Sequence, residues 1–152
     1  MRKSLKQFAI ITSLTVAATI GISSPALADG TTRYQNRWNQ ACLDSNSAGD
    51  AYTLGCNTGD NQKWNYQFIS GTSWYLKNMA TKRCLDANSA NSVYTNSCNG
   101  GVNQRWRRLD NGQWINVKTG KCLAATVYSP ARHAVFTAVC VESDDTLKWS
   151  KV

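Results

Sequence analysis

The sequence predicts an all-β chain, and three observations carry that reading. No long stretch places apolar residues at helical spacing. Short β-branched and aromatic runs, such as Trp114-Ile115-Asn116-Val117 and Val135-Phe136-Thr137-Ala138-Val139, alternate with turns rich in Asn and Gly. One block of about 40 residues is written three times, so a single supersecondary unit is repeated around a shared core.

The first segment stands outside that plan. Arg2, Lys3 and Lys6 precede an apolar run from Phe8 to Ile22, and Ala26-Leu27-Ala28 supplies a small-x-small cleavage site. This is the layout of a secretory signal over residues 1–28, leaving a mature chain of 29–152. Three of the 17 Lys and Arg lie in the leader and none of the nine acids, so the mature net charge is +5 rather than +8. The mature length suits one domain. No mature apolar run outlasts Ala134–Val141, too short to span a bilayer, so a released extracellular product without a membrane anchor is expected.

The repeats span about 31–69, 73–110 and 112–152. The first carries Cys42-Leu43-Asp44-Ser45-Asn46, then Tyr52-Thr53-Leu54-Gly55-Cys56-Asn57, then Asn61-Gln62-Lys63-Trp64. The second carries Cys84-Leu85-Asp86-Ala87-Asn88, Tyr94-Thr95-Asn96-Ser97-Cys98-Asn99 and Asn103-Gln104-Arg105-Trp106. The third keeps Cys122-Leu123-Ala124, Phe136-Thr137-Ala138-Val139-Cys140 and Leu147-Lys148-Trp149. Asn36, Asn78 and Asn116 each stand six residues before the leading cysteine, and Tyr34, Leu76 and Trp114 eight before it. An insertion around Tyr128-Ser129-Pro130 lengthens the third cysteine loop from 14 to 18.

Six cysteines in an exported chain imply disulfides, and the threefold phase makes one pairing natural: Cys42–Cys56, Cys84–Cys98 and Cys122–Cys140. Trp64, Trp106 and Trp149, recurring once per repeat among alternating apolar residues, read as core plugs rather than stacking platforms. The glutamines two residues before the first two read as structural amides that need buried partners.

Taken together, Cys-Leu-Asp, a second Cys and Gln-x-Trp in three phased repeats resemble the ricin B-chain type of β-trefoil lectin over the whole mature chain. The closer wording, Leu-Asp-Ser-Asn with Tyr-Thr-Leu, Asn-x-Gly and Gln-Lys-Trp, is similar to the actinohivin-type mannose-binding branch. The resemblance implies twelve strands, six in a short barrel and six in capping hairpins, with one shallow sugar pocket per repeat. It implies that Asp44 and Asp86 accept hydrogen bonds from sugar hydroxyls, that Tyr52 and Tyr94 form the pocket wall, and that Asn57, Asn99, Asn61 and Asn103 read further hydroxyls. Gln62 and Gln104 would support the aspartates from behind.

Elementary chemistry agrees, since a neutral sugar offers hydroxyls and apolar C–H faces that a carboxylate, amides and an aromatic ring complement. Asp-Ser-Asn and Asp-Ala-Asn are also turn-forming strings, which leaves a turn role open for both aspartates. On the ligand reading the two aspartates are expected to face solvent. Leu54 and Asn96 stand where ricin-type sites carry a stacking aromatic, and the actinohivin-type Tyr before Gln-x-Trp is absent. In repeat three Ala124 replaces Asp and Leu147 replaces Gln, so that lobe is expected to lack a sugar site.

Catalysis finds little support. His133 is the lone histidine and no nucleophile or metal-ligand motif accompanies it, so neither an enzyme nor a cofactor is expected. Asp44 and Asp86 hold equivalent places in different repeats, which separates them in a threefold fold. Asp144-Asp145 reads as a solvated turn. Two other classes remain. Lys82, Arg83, Arg105, Arg107 and Arg108 could dock acidic cell-wall polymers, with nucleic acid not expected, and the 127–132 loop could serve a protease inhibitor. The sequence favours a secreted, monomeric, glycan-binding lectin with sites in repeats one and two.

Overall fold

The computed structural model describes residues 30–126 and 133–152; the leader and the inserted loop of repeat three lie outside them. The strands are β1 (Gly30–Thr32), β2 (Tyr34–Asn36), β3 (Cys42–Ser45), β4 (Ala51–Leu54), β5 (Trp64–Ser70), β6 (Ser73–Asn78) and β7 (Cys84–Ala87). They continue with β8 (Val93–Asn96), β9 (Trp106–Arg108), β10 (Trp114–Asn116), β11 (Cys122–Ala125), β12 (His133–Ala138) and β13 (Trp149–Lys151). A single 3-10 turn precedes the last strand of each repeat, at Asp60–Gln62, Val102–Gln104 and Asp145–Leu147. Thirteen strands rather than twelve arise because the first is interrupted at Arg33, whose backbone pairs with Val152 while β1 pairs β5 and β2 pairs β13.

The first and last strands of each repeat close a six-staved barrel. β1 pairs β5, β5 pairs β6, β6 pairs β9, β9 pairs β10, and β13 pairs β2. The remaining seam, between β10 and β13, is closed by the Gln113–Lys148 bridge and by Trp149 N–H donating to the Gly112 carbonyl at 3.0 Å. Closure leaves no bare edge around the barrel. The middle strands form hairpins β3–β4, β7–β8 and β11–β12, which meet one another at β12–β4, Asp50–Tyr94 and Ser92–Phe136. This is a β-trefoil.

The threefold register is strict where the core is densest. Trp64, Trp106 and Trp149 stand opposite Asn78, Asn116 and Asn36. Each indole is fully buried, and its N–H donates to the carbonyl of Leu43, Leu85 or Leu123 at 2.9, 2.9 and 3.0 Å. One side chain per repeat therefore fills the barrel and ties it to its hairpin, which is the core role expected of these tryptophans.

The phased asparagines are staples. Their Nδ2 groups donate to the carbonyls of Thr146, Asn61 and Asn103 at 2.8, 2.7 and 2.7 Å, while their Oδ1 atoms accept from the turn that follows. That turn ends on Gln40, Lys82 or Gly120 at φ 56°, 60° and 68°. Only glycine adopts this left-handed geometry freely; a side chain costs about 1–2 kcal/mol there. The staples offset that cost in the first two repeats. The three disulfides join Cys42–Cys56, Cys84–Cys98 and Cys122–Cys140, one per repeat, with no free cysteine.

Candidate functional site

Each hairpin places one residue of its first strand directly across from an aromatic. Asp44 faces Tyr52, Asp86 faces Tyr94, and Ala124 faces Phe136. The row extends across the next hairpin because the three hairpins pair with each other: Ala134 lies beside Tyr52, Asp50 beside Tyr94, and Ser92 beside Phe136. Cross-strand neighbours point to the same sheet face. The three rows are thus Asp44–Tyr52–Ala134, Asp86–Tyr94–Asp50 and Ala124–Phe136–Ser92.

The aspartates do not face solvent. Asp44 is 3 % and Asp86 4 % exposed, which corrects the expectation of open carboxylates. The hairpin folds back onto the 3-10 turn, and Asn61 and Asn103 close it there by donating Nδ2 to the carbonyls of Ser45 and Ala87. Oδ1 of each aspartate is buried and meets no hydrogen-bond donor of the protein. In repeat two, Oδ2 of Asp86 accepts from Gln104 Nε2 at 3.0 Å. Burial, and then the Asp86 carboxylate beside it, push the Tyr94 phenol above its ordinary range.

Gln104 backs Asp86, and Gln62 and Gln104 share a second task in the loops. Their Oε1 atoms accept from the N–H of Asn57 and Asn99 at 2.8 and 3.0 Å, and their Nε2 atoms donate to the carbonyls of Gly55 and Ser97 at 3.0 and 2.9 Å. Both glutamines are fully buried and hold the loop after the second cysteine. Asn57 and Asn99 in turn accept from the N–H of Gly59 and Gly101 at 2.8 Å, making local turns. Their Oδ1 atoms are thereby engaged in the loop.

Lobe three pairs its two hairpin strands in the same register without this chemistry. Ala124 and Leu147 pack into one apolar cluster with Cys122, joined by Ile115, Phe136, Ala138 and Cys140. Carboxylate and amide are replaced together by two apolar groups, a change that leaves no polar atom stranded.

A model of the ricin-type β-trefoil lectin domain matches residues 28–149. The chain belongs to the ricin-type β-trefoil lectin family. Its carbohydrate-binding character is that family's, and the fold recurs in solved structures of very different contexts. The designed threefold-symmetric protein ThreeFoil is similar at 25 % identity and TM-score 0.73, over 82 % of this chain and 99 % of its own. The BEL β-trefoil is similar at 16 % identity and TM-score 0.65, over 82 % and 95 % of the two chains. The hemolytic lectin CEL-III is similar at 21 % and TM-score 0.65, over 80 % of this chain and 30 % of its own. Among curated proteins none matches significantly.

Within this ricin-type framework the hairpin register brings Asp44 to Tyr52 and Asp86 to Tyr94, and the 3-10 turn sets Asn61 and Asn103 beside the same hairpins. Asp50 is the residue that reasoning from repeats overlooks. It belongs to repeat one yet flanks the Asp86–Tyr94 pair of repeat two, and no in-register signal marks it, because Ser92 and Ala134 take its place in the other rows.

Proposed function

We propose that this lectin is a secreted, monomeric protein whose mature chain, 29–152, reads neutral, mannose-type glycans through lobes one and two and is not a catalyst. The observation that supports this is the treatment of the two aspartates. A carboxylate held nearly out of water with one oxygen lacking a donor is costly, about 1–3 kcal/mol or more. The fold has no need of it, because repeat three pairs the same two strands around Ala124 and Leu147. A group retained at a cost that the architecture does not require fits a ligand role.

In this reading sugar hydroxyls donate to Asp44 and Asp86, forming charge-assisted hydrogen bonds. A hydroxyl reaches Asp86 by taking the place that the Tyr94 phenol holds beside it. The tyrosine rings present the apolar wall, and Asn61 and Asn103, whose Nδ2 groups are engaged by the hairpin, offer Oδ1 as further acceptors. Asn57 and Asn99 then contribute through the loop they shape rather than through Oδ1.

Glycan-array screening of the mature protein beside the Asp44→Ala/Asp86→Ala double variant tests the assignment. Mannose-type glycans should bind the wild type, and the folded double variant should bind none. A folded double variant that still binds them rejects this pocket.

A further inference from the structure

The opposite end of the barrel carries a cavity of about 450 Å³, bounded by the β5–β6 and β9–β10 turns and by the end of β13. Two rings of repeat-equivalent residues meet there. Two residues after each core tryptophan the chain carries Tyr66, Arg108 and Lys151, and on the first strands it carries Tyr34, Leu76 and Trp114. Leu76 fills in repeat two the place that Trp114 takes in repeat three, and Tyr66 fills in repeat one the place that Arg108 takes in repeat two, so the fold demands neither the indole nor the arginine.

Those two side chains are under-satisfied. Trp114 is 2 % exposed, and its Nε1–H finds no acceptor. Arg108 Nε is buried without a partner, and the guanidinium donates through Nη2 to the Trp149 carbonyl at 3.3 Å. The ion pairs among the described residues are Lys63–Asp60 and Lys148–Asp145, so Arg108 has no carboxylate at ion-pair distance although Asp110 lines the same cavity. Indole and guanidinium are donors only, and the guanidinium cannot shed its charge. Lys151 adds a second cation, its Nζ 3.9 Å from the Tyr66 ring centre. Trp74, edge to face with Tyr66 at 5.6 Å, supplies an apolar ring wall.

We propose that the barrel mouth binds an acidic sugar, a hexuronate unit of an anionic polysaccharide, with its carboxylate on Arg108 and Trp114 Nε1 and its C–H face against Trp74. Donors without acceptors select an anion over a neutral sugar, the aromatic wall selects a ring over a bare ion, and the volume falls in the range of small-ligand pockets. This site is independent of the two lobe sites.

The test is a titration of the ¹⁵N-labelled mature protein with glucuronate, with glucose and acetate as controls, following the Trp114 indole resonance assigned through Trp114→Phe. Glucuronate should shift it saturably, and Arg108→Gln should weaken that binding at least tenfold. Asp110→Asn, which removes the competing charge on the turn, should tighten it, and decides the matter if Arg108→Gln does not fold. Asp44→Ala/Asp86→Ala should leave the titration unchanged, which separates this site from the lobes. No shift, an equal shift with glucose, an equal affinity for acetate, or an Asp110→Asn variant that binds no better overturns the proposal.

Discussion

Gln104 Nε2 donates to Asp86 Oδ2 at 3.0 Å, and the third repeat replaces both partners at once, with Leu147 and Ala124. The pair behaves as one chemical unit. Keeping the glutamine while losing the aspartate leaves Nε2 its bond to Ser97, whereas keeping the aspartate while losing the glutamine leaves a buried carboxylate with no side-chain amide at all. The asymmetry makes the two single substitutions unequal.

Gln104→Leu should therefore destabilise the fold by about 1.5–3 kcal/mol, the range for a buried hydrogen bond to a charged group. Asp86→Ala should cost less, and adding it to Gln104→Leu should recover part of the loss. Urea denaturation of the four proteins of this double-mutant cycle, disulfides intact, reads the coupling. Strict additivity would show that the two side chains do not interact energetically.

The alkaline limit of stability should be set by Tyr34, which is buried, and by the half-buried Tyr94. Burial pushes the Tyr34 phenol far above its ordinary value, and burial together with Asp86 raises Tyr94. Between the ordinary value of about 10 and the raised one, the folded chain keeps a proton that the unfolded chain releases. Their contribution is thus full below about pH 10 and lost as pH rises above it. Tyr34→Phe removes a buried hydroxyl that has no partner, so it should fold at least as stably at pH 7 and flatten the decline above pH 10. Urea midpoints taken from pH 8 to pH 11.5 would expose a decline as steep as wild type, which would contradict this.

The tryptophans divide sharply. Trp64→Ala opens a cavity where the barrel meets its hairpin and strands the Leu43 carbonyl, for a loss of about 3–5 kcal/mol. Trp38, 59 % exposed on the turn after Asn36, should change stability by no more than about 0.5 kcal/mol when replaced by alanine. Thermal melts of the two variants separate core plug from surface residue, and comparable losses would contradict the division.

Two lobes on one rigid body should show avidity. A single shallow site of this kind should bind a monosaccharide near the millimolar level, about −4 kcal/mol. Branched mannose-type glycans that engage both lobes should gain on the order of 10²-fold, and Asp44→Ala or Asp86→Ala alone should abolish that gain. Raising the salt should change neutral-glycan binding little, because no counterions are released, in contrast to binding of a polyanion. Surface plasmon resonance against mannose and a branched oligomannose, at low and high salt, reads both effects. Equal affinity for the two ligands would count against two working lobes.

The repeat plan, the disulfide partners and the core tryptophans were legible in the chain alone, because each recurs at a fixed phase and a recurring residue in a threefold fold has a recurring environment. Cys42 pairs with Cys56, and Trp64 is buried, for reasons local to one repeat. The aspartates were legible as a pair but not as buried groups. Their exposure depends on how far the hairpin closes onto the 3-10 turn, and that is fixed by the Asn61 and Asn103 amides reaching the carbonyls of Ser45 and Ala87. Asp50 beside Tyr94, and the unequal ring of Tyr66, Arg108 and Lys151, were beyond any reading of one repeat at a time. Both arise where separate repeats meet about the threefold axis. Hairpin pairing sets Asp50 beside Tyr94 and barrel closure gathers Tyr66, Arg108 and Lys151 at one mouth, and neither contact lies within a single repeat.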